Sequence, residues 1–224
     1  MIPKQIHYFW FGDAQKSELL RKCLKSWEQH LPEYKIIEWN ESNYDVTKNA
    51  FTLKAFSEKK WAFLSDYARL DVLSEHGGIY LDTDMEIIRP LDPLLSHGSF
   101  IGMESATHAN ASIVGAVANH WFIQEVLDSY THTEPYVTIP VKVTAVLQKY
   151  IPIKDKQQNY RDVFVFPHEY FYPFSFTETF NPNCLTENTY SIHWWDHSWG
   201  SKKAKVLKKL GLLRFAQWAK GLVS

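Results

Sequence analysis

Two rhythms of hydrophobic and polar residues alternate along the first part of the chain. Ile6-His7-Tyr8-Phe9-Trp10 is a dense apolar and aromatic run that ends at Phe11-Gly12-Asp13, the pattern of a buried strand followed by a turn. In KSELLRKCLKSWEQHLPEY the rhythm changes. Leu19, Leu20, Cys23, Leu24, Trp27 and Leu31 recur at helical spacing, Ser17 stands where an N-cap belongs, and Pro32 ends the run. A second strand follows in YKIIEWN and stops at Asn40. Strand, helix, strand in this order predicts an α/β fold with a mostly parallel central sheet and crossover helices.

Beyond a polar stretch through Asn49, the pattern predicts a helix near Ala50–Lys59 and another at about Leu64–Glu75, with Ser65 or Asp66 near its start. Gly77-Gly78 supplies the glycine stop, and Ile79-Tyr80-Leu81 is short and apolar enough for a central strand. Ser99 to Ala118 predicts strand, loop and strand, and Trp121–Ser129 a helix. After Tyr136 the periodicity weakens, leaving strands at Val163–Phe166 and Tyr190–His193. There is no internal repeat, low-complexity segment or linker, so the expected organisation is one domain over residues 1–200 with a tail at 201–224.

Composition narrows the class. The chain has 224 residues, 45% hydrophobic and 22% charged, which suits a globular domain with a sizeable core. Nine Trp, 12 Tyr and 14 Phe serve the core first, but also suit a site that stacks flat or ring-shaped ligands. Cys23 and Cys184 are too few for a disulfide framework. No charged-plus-apolar leader precedes the first strand and no run is long enough to span a bilayer, so the expected location is cytoplasmic. The formal charge of −1 conceals an asymmetry. Seven of the 24 basic residues lie beyond residue 200 and no acidic one does, which leaves 17 basic against 25 acidic residues, a net of −8, in the body.

The chemistry gathers at Asp82-Thr83-Asp84, directly after the central strand. In open α/β sheets ligands bind beyond the carboxyl ends of the strands. If the strand continues, residues two apart point the same way, and two carboxylates so placed repel unless a cation joins them. Hard oxygen ligands suit Mn²⁺ or Mg²⁺. An EF-hand loop is disfavoured because Ile87 stands where that loop needs glycine. Asp66 and Arg69 share one helical face and make an ion pair on the simplest reading.

The arrangement Ser65-Asp66…Arg69…Gly77-Gly78-Ile79-Tyr80-Leu81-Asp82-Thr83-Asp84 resembles glycosyltransferase family 32, which includes fungal initiating α-1,6-mannosyltransferases and bacterial capsule-synthesis enzymes. It is similar, more distantly, to the glucosylating clostridial toxins. The resemblance begins at Ile2-Pro3-Lys4 and Ile6 to Gly12, includes Trp39-Asn40, and ends near His193-Trp194-Trp195-Asp196-His197-Ser198-Trp199. It implies a GT-A, Rossmann-like nucleotide-sugar-binding fold, a nucleotide-sugar donor (a UDP-sugar first, with GDP-mannose open), a divalent metal (Mn²⁺ or Mg²⁺) and retention of anomeric configuration.

The resemblance also implies roles. Asp84 binds the metal directly, and Asp82 binds it through water or holds the donor ribose. Asp66 accepts from donor-sugar hydroxyls, and Arg69 lies near the sugar or the diphosphate; these four are the catalytic candidates. Ser65 caps its helix, touches the nucleotide, or both. Trp10 packs in the core on its residues alone, but stacks on the base by resemblance. Tyr80 contacts the nucleotide or only packs. Asn110 bonds sugar hydroxyls or is an ordinary polar loop residue. His193 is the expected third metal ligand with His197 as its rival, and Trp199 and Lys202 reach the diphosphate. Phe166 to Pro173 is expected to be structural, on the acceptor side.

The tail carries Val206, Leu207 and Leu210 on one side and lysines on the other, the pattern of a basic amphipathic helix on an anionic membrane surface; the competing reading is a helix packed on the body. The expected function is therefore hexosyl transfer, galactose or glucose first and GDP-mannose as the alternative, onto a glycan or lipid-linked acceptor in surface polysaccharide synthesis. The location would be the cytoplasm, peripheral on the inner face of the membrane, and no nucleic-acid partner is expected. Two further classes compete. A phosphohydrolase or nucleotidyltransferase needs more clustered acidic ligands, and a non-catalytic sugar-binding protein has no need of the Asp pair.

Overall fold

A computed structural model describes residues 1–130 and 136–196. In chain order the elements are β1 (Gln5–Phe9), α1 (Glu18–His30), β2 (Lys35–Trp39), α2 (Ala50–Ser57), α3 (Trp61–His76), β3 (Gly78–Leu81), β4 (Met85–Ile87), β5 (Ser99–Met103), β6 (Ala109–Ala116), α4 (Trp121–Asp128), α5 (Ile139–Gln148), β7 (Gln158–Tyr160), β8 (Val163–Phe166), α6 (His168–Phe171) and β9 (Ser191–His193). Ser17 caps α1 as the sequence predicts, accepting from the Leu20 N–H at 3.0 Å.

The central sheet has seven strands in the order β2-β1-β3-β6-β5-β8-β7. β1 pairs in parallel with β2 and β3, and β5 with β8, whereas β6 is antiparallel to both its neighbours and β7 to β8. Five strands therefore point one way, and their carboxyl ends share one edge. A separate ribbon pairs β4 with β9 in antiparallel register.

Side-chain alternation divides the core between the two faces of the sheet. Phe9, Tyr80, Ile101, Val163 and Val165 face α2, α3, α4 and α5. Ile6, Tyr8, Ile79, Leu81 and Phe100 face α1, α6 and the β4–β9 ribbon. α3 is buried on more than one side, so its interior includes the polar residues Asp66 and Arg69.

The turn from α3 into β3 requires glycine at both positions. Gly77 has φ +64° and Gly78 φ +109°. A Cβ on Gly77 would lie 2.8 Å from the Ala118 nitrogen, and one on Gly78 2.8 Å from His7 Nε2. The same turn engages His7, which is fully buried. Its Nε2 donates to the Gly77 carbonyl at 2.9 Å, while Nδ1 accepts from the Trp39 indole N–H at 3.1 Å. Both bonds suit a neutral ring. Burial, above all, lowers the His7 pKa from 6.5 to about 4, and the nearby His76 and Lys35 add to this.

Four elements escape the sequence pattern: β4, α5, β7 and α6. β4, β7 and α6 are short, and the apolar positions of α5 show no clear stripe because Ile139-Pro140-Val141 opens it. α3 begins at Trp61, earlier than predicted, because Trp61 packs on Phe11 and Phe56.

His7 makes stability pH-dependent with a definite sign. Its folded pKa lies below its unfolded value, so between pH 6.5 and about 4 the unfolded chain binds more protons. The contribution is present above that window and is lost as pH falls through it. Urea unfolding at pH 7 and pH 4 is expected to show a loss about 3 kcal/mol larger in the wild type than in His7→Gln. Equal losses would remove His7 from this account.

Candidate functional site

Asp82 directly follows β3 at the carboxyl edge of the sheet. Its N–H donates to the Ser112 carbonyl at 2.7 Å, and its carbonyl accepts from the Met85 N–H at 3.0 Å, closing a turn. This corrects the expectation of a continuing strand. Asp82 and Asp84 sit in a turn between β3 and β4, so the turn, not strand alternation, brings their carboxylates together.

The β4–β9 ribbon supplies the third group. Met85 stands opposite His193, and the Trp194 N–H donates to the Asp84 carbonyl at 3.0 Å. His193 Nε2 then lies 3.2 Å from Asp84 Oδ1, while Asp84 Oδ2 accepts from the Asp196 N–H at 2.7 Å. One ligand atom each from Asp82, Asp84 and His193 falls within 4.8 Å of the others.

Burial opposes ionisation of Asp84, but His193 and the Asp196 N–H outweigh it and hold the carboxyl below its ordinary range. Burial likewise opposes charge on His193, and Asp84 more than compensates, so the imidazole is held above its ordinary range. His193 Nδ1 is buried and has no hydrogen-bond partner among the described residues. Two carboxylates and an imidazole, one of whose buried ring nitrogens has no partner among the described residues, fit a divalent ion such as Mn²⁺ or Mg²⁺.

Arg69 ties the site together. Its Nε donates to the Ser65 carbonyl at 3.0 Å, Nη1 to the Ala111 carbonyl at 2.9 Å, and Nη2 to Asp66 Oδ1 at 2.8 Å. Nη1 also lies 3.2 Å from Asp82 Oδ1, which accepts from the Tyr80 hydroxyl at 2.6 Å. The guanidinium sits 4.4 Å from the centre of the Tyr80 ring. Ala111 can present its carbonyl because the β5–β6 pairing shifts register: Ile101 pairs with Val114 but Gly102 with Asn110.

Asp66 makes the ion pair that its spacing predicts, and its second oxygen accepts from the Ile139 N–H at the start of α5 at 3.1 Å. Both oxygens are thus engaged. Burial pushes its pKa up to about 6 against the pull of Arg69. The capping alternative for Ser65 does not hold. Lys60 occupies the N-cap position of α3, and the Ser65 hydroxyl donates to the Ala62 carbonyl at 2.9 Å inside the helix.

A cavity of about 550 Å³ opens over this edge of the sheet. Trp10, Ser65, Asp66, Arg69, Tyr80, Asp82, Asp84, Asn110 and His193, every predicted site residue within the described part of the chain, line it. Trp10 is half-buried and fixed by its indole N–H on the Ala14 carbonyl at 2.8 Å. Asn110 Oδ1 accepts from the Ser112 N–H at 3.0 Å and its hydroxyl at 3.1 Å. Asn110 is therefore built into the wall and does not belong to a loop. His197, Trp199, Lys202 and the tail at 201–224 lie outside the described residues. No helix among the described residues is long and apolar enough to cross a membrane.

Glu104, Ser112, Ile139 and Trp195 also line the cavity and escape a reading of the sequence. A signal existed for Glu104. It follows β5 as Asp82 follows β3, and both strands run toward the same edge.

Replacing Arg69 would leave Asp66 and Asp82 without their cation. Arg69→Met is expected to cost about 3–5 kcal/mol in urea unfolding. Asp66→Asn in that background should restore part of the loss, because one unpaired buried charge is removed. Full additivity of the two changes would contradict the coupling described.

Two family models match the chain. Residues 17–101 match a glycosyltransferase sugar-binding region containing a DXD motif, and residues 117–218 an alpha 1,4-glycosyltransferase conserved region. Mannosyl phosphorylinositol ceramide synthase SUR1 of Saccharomyces cerevisiae is 33% identical over 147 residues, covering 62% of this chain and 37% of that protein. The alpha-1,4-N-acetylglucosaminyltransferase of Homo sapiens is 26% identical over 163 residues, covering 65% and 46%. The chain thus spans less than half the length of these relatives. Among solved structures, the galactosyltransferase LgtC, in complex with donor and acceptor sugar analogs, has a TM-score of 0.50 at 12% identity, over 92% of this chain and 95% of that one. At such identity the likeness concerns the fold, which is GT-A. Two regions of the chain are thus similar to glycosyltransferase sequences, and its fold is of the GT-A type.

Proposed function

We propose that the chain is a metal-dependent retaining hexosyltransferase that moves galactose or glucose from a UDP-sugar to a glycan or lipid-linked acceptor. The observation that carries this reading is the convergence of Asp82, Asp84 and His193 within 4.8 Å on the wall of the cavity. A second donor, GDP-mannose, is favoured by one observation, the mannosyl transfer in the name of the yeast relative.

On this reading Asp82, Asp84 and His193 hold Mn²⁺ or Mg²⁺. The chemistry such an ion supplies when bound is neutralisation of charge on a departing diphosphate. The protein's own part is preorganisation. Tyr80 and Arg69 fix one oxygen of Asp82, and the Asp196 N–H fixes one of Asp84, so neither carboxylate must search for its orientation. Trp10 offers a ring to a nucleobase, a contact that tolerates either uracil or guanine. The apolar part of the wall, from Phe9, Phe11, Trp61, Phe63, Ile139 and Trp195, limits water around the reacting centre.

Retention without a covalent intermediate is supported by the state of Asp66. Both its oxygens are bonded, to Arg69 and to the Ile139 N–H, so it is poorly placed to attack a sugar. The proposed step is front-face substitution. The bond from the sugar C1 to the diphosphate oxygen breaks, the bond from C1 to the acceptor oxygen forms on the same face, and the acceptor proton passes to the leaving phosphate.

Nucleotide release from UDP-galactose, UDP-glucose, UDP-N-acetylglucosamine and GDP-mannose, with Mn²⁺ or with chelator, tests the reading. One donor is expected to be turned over with metal and not with chelator, and Asp84→Asn should lower that rate by about 100-fold or more. Release that is indifferent to chelator and to Asp84→Asn would defeat the proposal.

A further inference from the structure

The acidic side chains that line the cavity are Asp66, Asp82, Asp84, Glu104 and Asp196. Asp66 and Asp82 share Arg69, and Asp84 faces His193. Glu104 differs. It is half-buried, and its carboxylate makes one hydrogen bond among the described residues, accepting from Asn110 Nδ2 at 2.7 Å through Oε2. No Lys or Arg pairs with it among the described residues, and Oε1 has no protein donor there.

Its placement is rigid. The Glu104 N–H donates to the His108 carbonyl at 2.9 Å, closing the loop between β5 and β6. Asn110, which holds its side chain, is itself locked by Ser112, and the Ser112 carbonyl holds the Asp82 N–H. A continuous set of hydrogen bonds thus ties Glu104 to the Asp82-Thr83-Asp84 turn. Burial, the largest influence, holds its carboxyl above the ordinary range, with Asn110, His193 and His108 acting in the opposite sense. A carboxylate left this short of donors at a cavity wall is completed by donors that a ligand brings.

We infer that Glu104 is a specificity-determining residue whose carboxylate, oriented by Asn110, accepts hydrogen bonds from the hydroxyls of a sugar bound in the cavity. The inference rests on the transferase reading above and gives Glu104 a role that the resemblance implies for Asp66. Each Asp66 oxygen already accepts a hydrogen bond inside the protein, whereas Glu104 Oε1 accepts none among the described residues. The sugar is that of the donor or that of the acceptor. The shared chemistry is a neutral ring with adjacent hydroxyl donors, for which a carboxylate is a strong acceptor.

The test uses Glu104→Gln and the shorter Glu104→Asp in the full chain. Binding of UDP and GDP, of the corresponding nucleotide-sugars, and of a panel of methyl hexosides is measured with Mn²⁺ by calorimetry. If the donor sugar is the partner, nucleotide-sugar affinity falls about 10- to 100-fold in Glu104→Gln while affinity for the bare nucleotide is unchanged. If the acceptor is the partner, nucleotide-sugar affinity is unchanged and methyl hexoside binding, measured with UDP present, is lost. Either result supports the inference, and Glu104→Asp separates reach from charge by recovering part of the affinity.

Wild-type affinities for every sugar ligand in both variants would overturn it. An equal loss of bare nucleotide and nucleotide-sugar would overturn it too, because that marks a structural role. A covalent sugar adduct on Glu104 in the wild type would replace it with nucleophilic catalysis. Failure of the wild type to bind any nucleotide or sugar would instead refute the transferase reading on which the inference rests.

Discussion

The buried guanidinium of Arg69 is the interaction on which the site depends. It sits within α3, yet it reaches the carbonyl of Ala111 on β6, the carboxylate that follows β3, and the ring of Tyr80. The consecutive α3 and β3 and the remote β6 are therefore held in one geometry by one side chain. Burying a cation is unfavourable unless its donors are met, and here carboxylates and carbonyls meet them. The irregular β5–β6 pairing is part of this arrangement, because it turns the backbone of Ala111 and Ser112 toward Arg69 and Asp82.

The β4–β9 ribbon performs a second assembly. Its register sets Met85 opposite His193, so a residue near the end of the described chain meets the turn after β3. Asp84 is gripped from the same side, its carbonyl by the Trp194 N–H and its carboxylate by the Asp196 N–H. Such backbone bonds hold a carboxylate with little freedom left to lose on binding a ligand, which is how a small site achieves precision.

Legibility in the sequence followed the strength of local patterns. β1, β2, β3 and β8 carry short apolar or aromatic runs and α1 a clear helical stripe bounded by Ser17 and Pro32, and each appears close to its expected place. β4 and β9 have three residues each, too few for a period to be read, although they complete the site. Asp82, Asp84, Asp66 and Arg69 stood out because their spacing is local. Glu104 did not, because the loop after β5 is marked only by polarity, and its importance depends on which way β5 points.

By itself the sequence determined the layered α/β arrangement, the glycine-closed turn into β3 and the pair of carboxylates beyond it. These follow from side-chain period and backbone freedom, which act between near neighbours. Only the tertiary structure decided that His193 joins those carboxylates, that Asp66 is engaged by Arg69 and by the start of α5, and that Glu104, held by Asn110, lines the cavity. Those outcomes depend on strand register and on the packing of α3 and α5 against the sheet. Both are set by contacts between residues far apart in the chain, which no local spacing encodes.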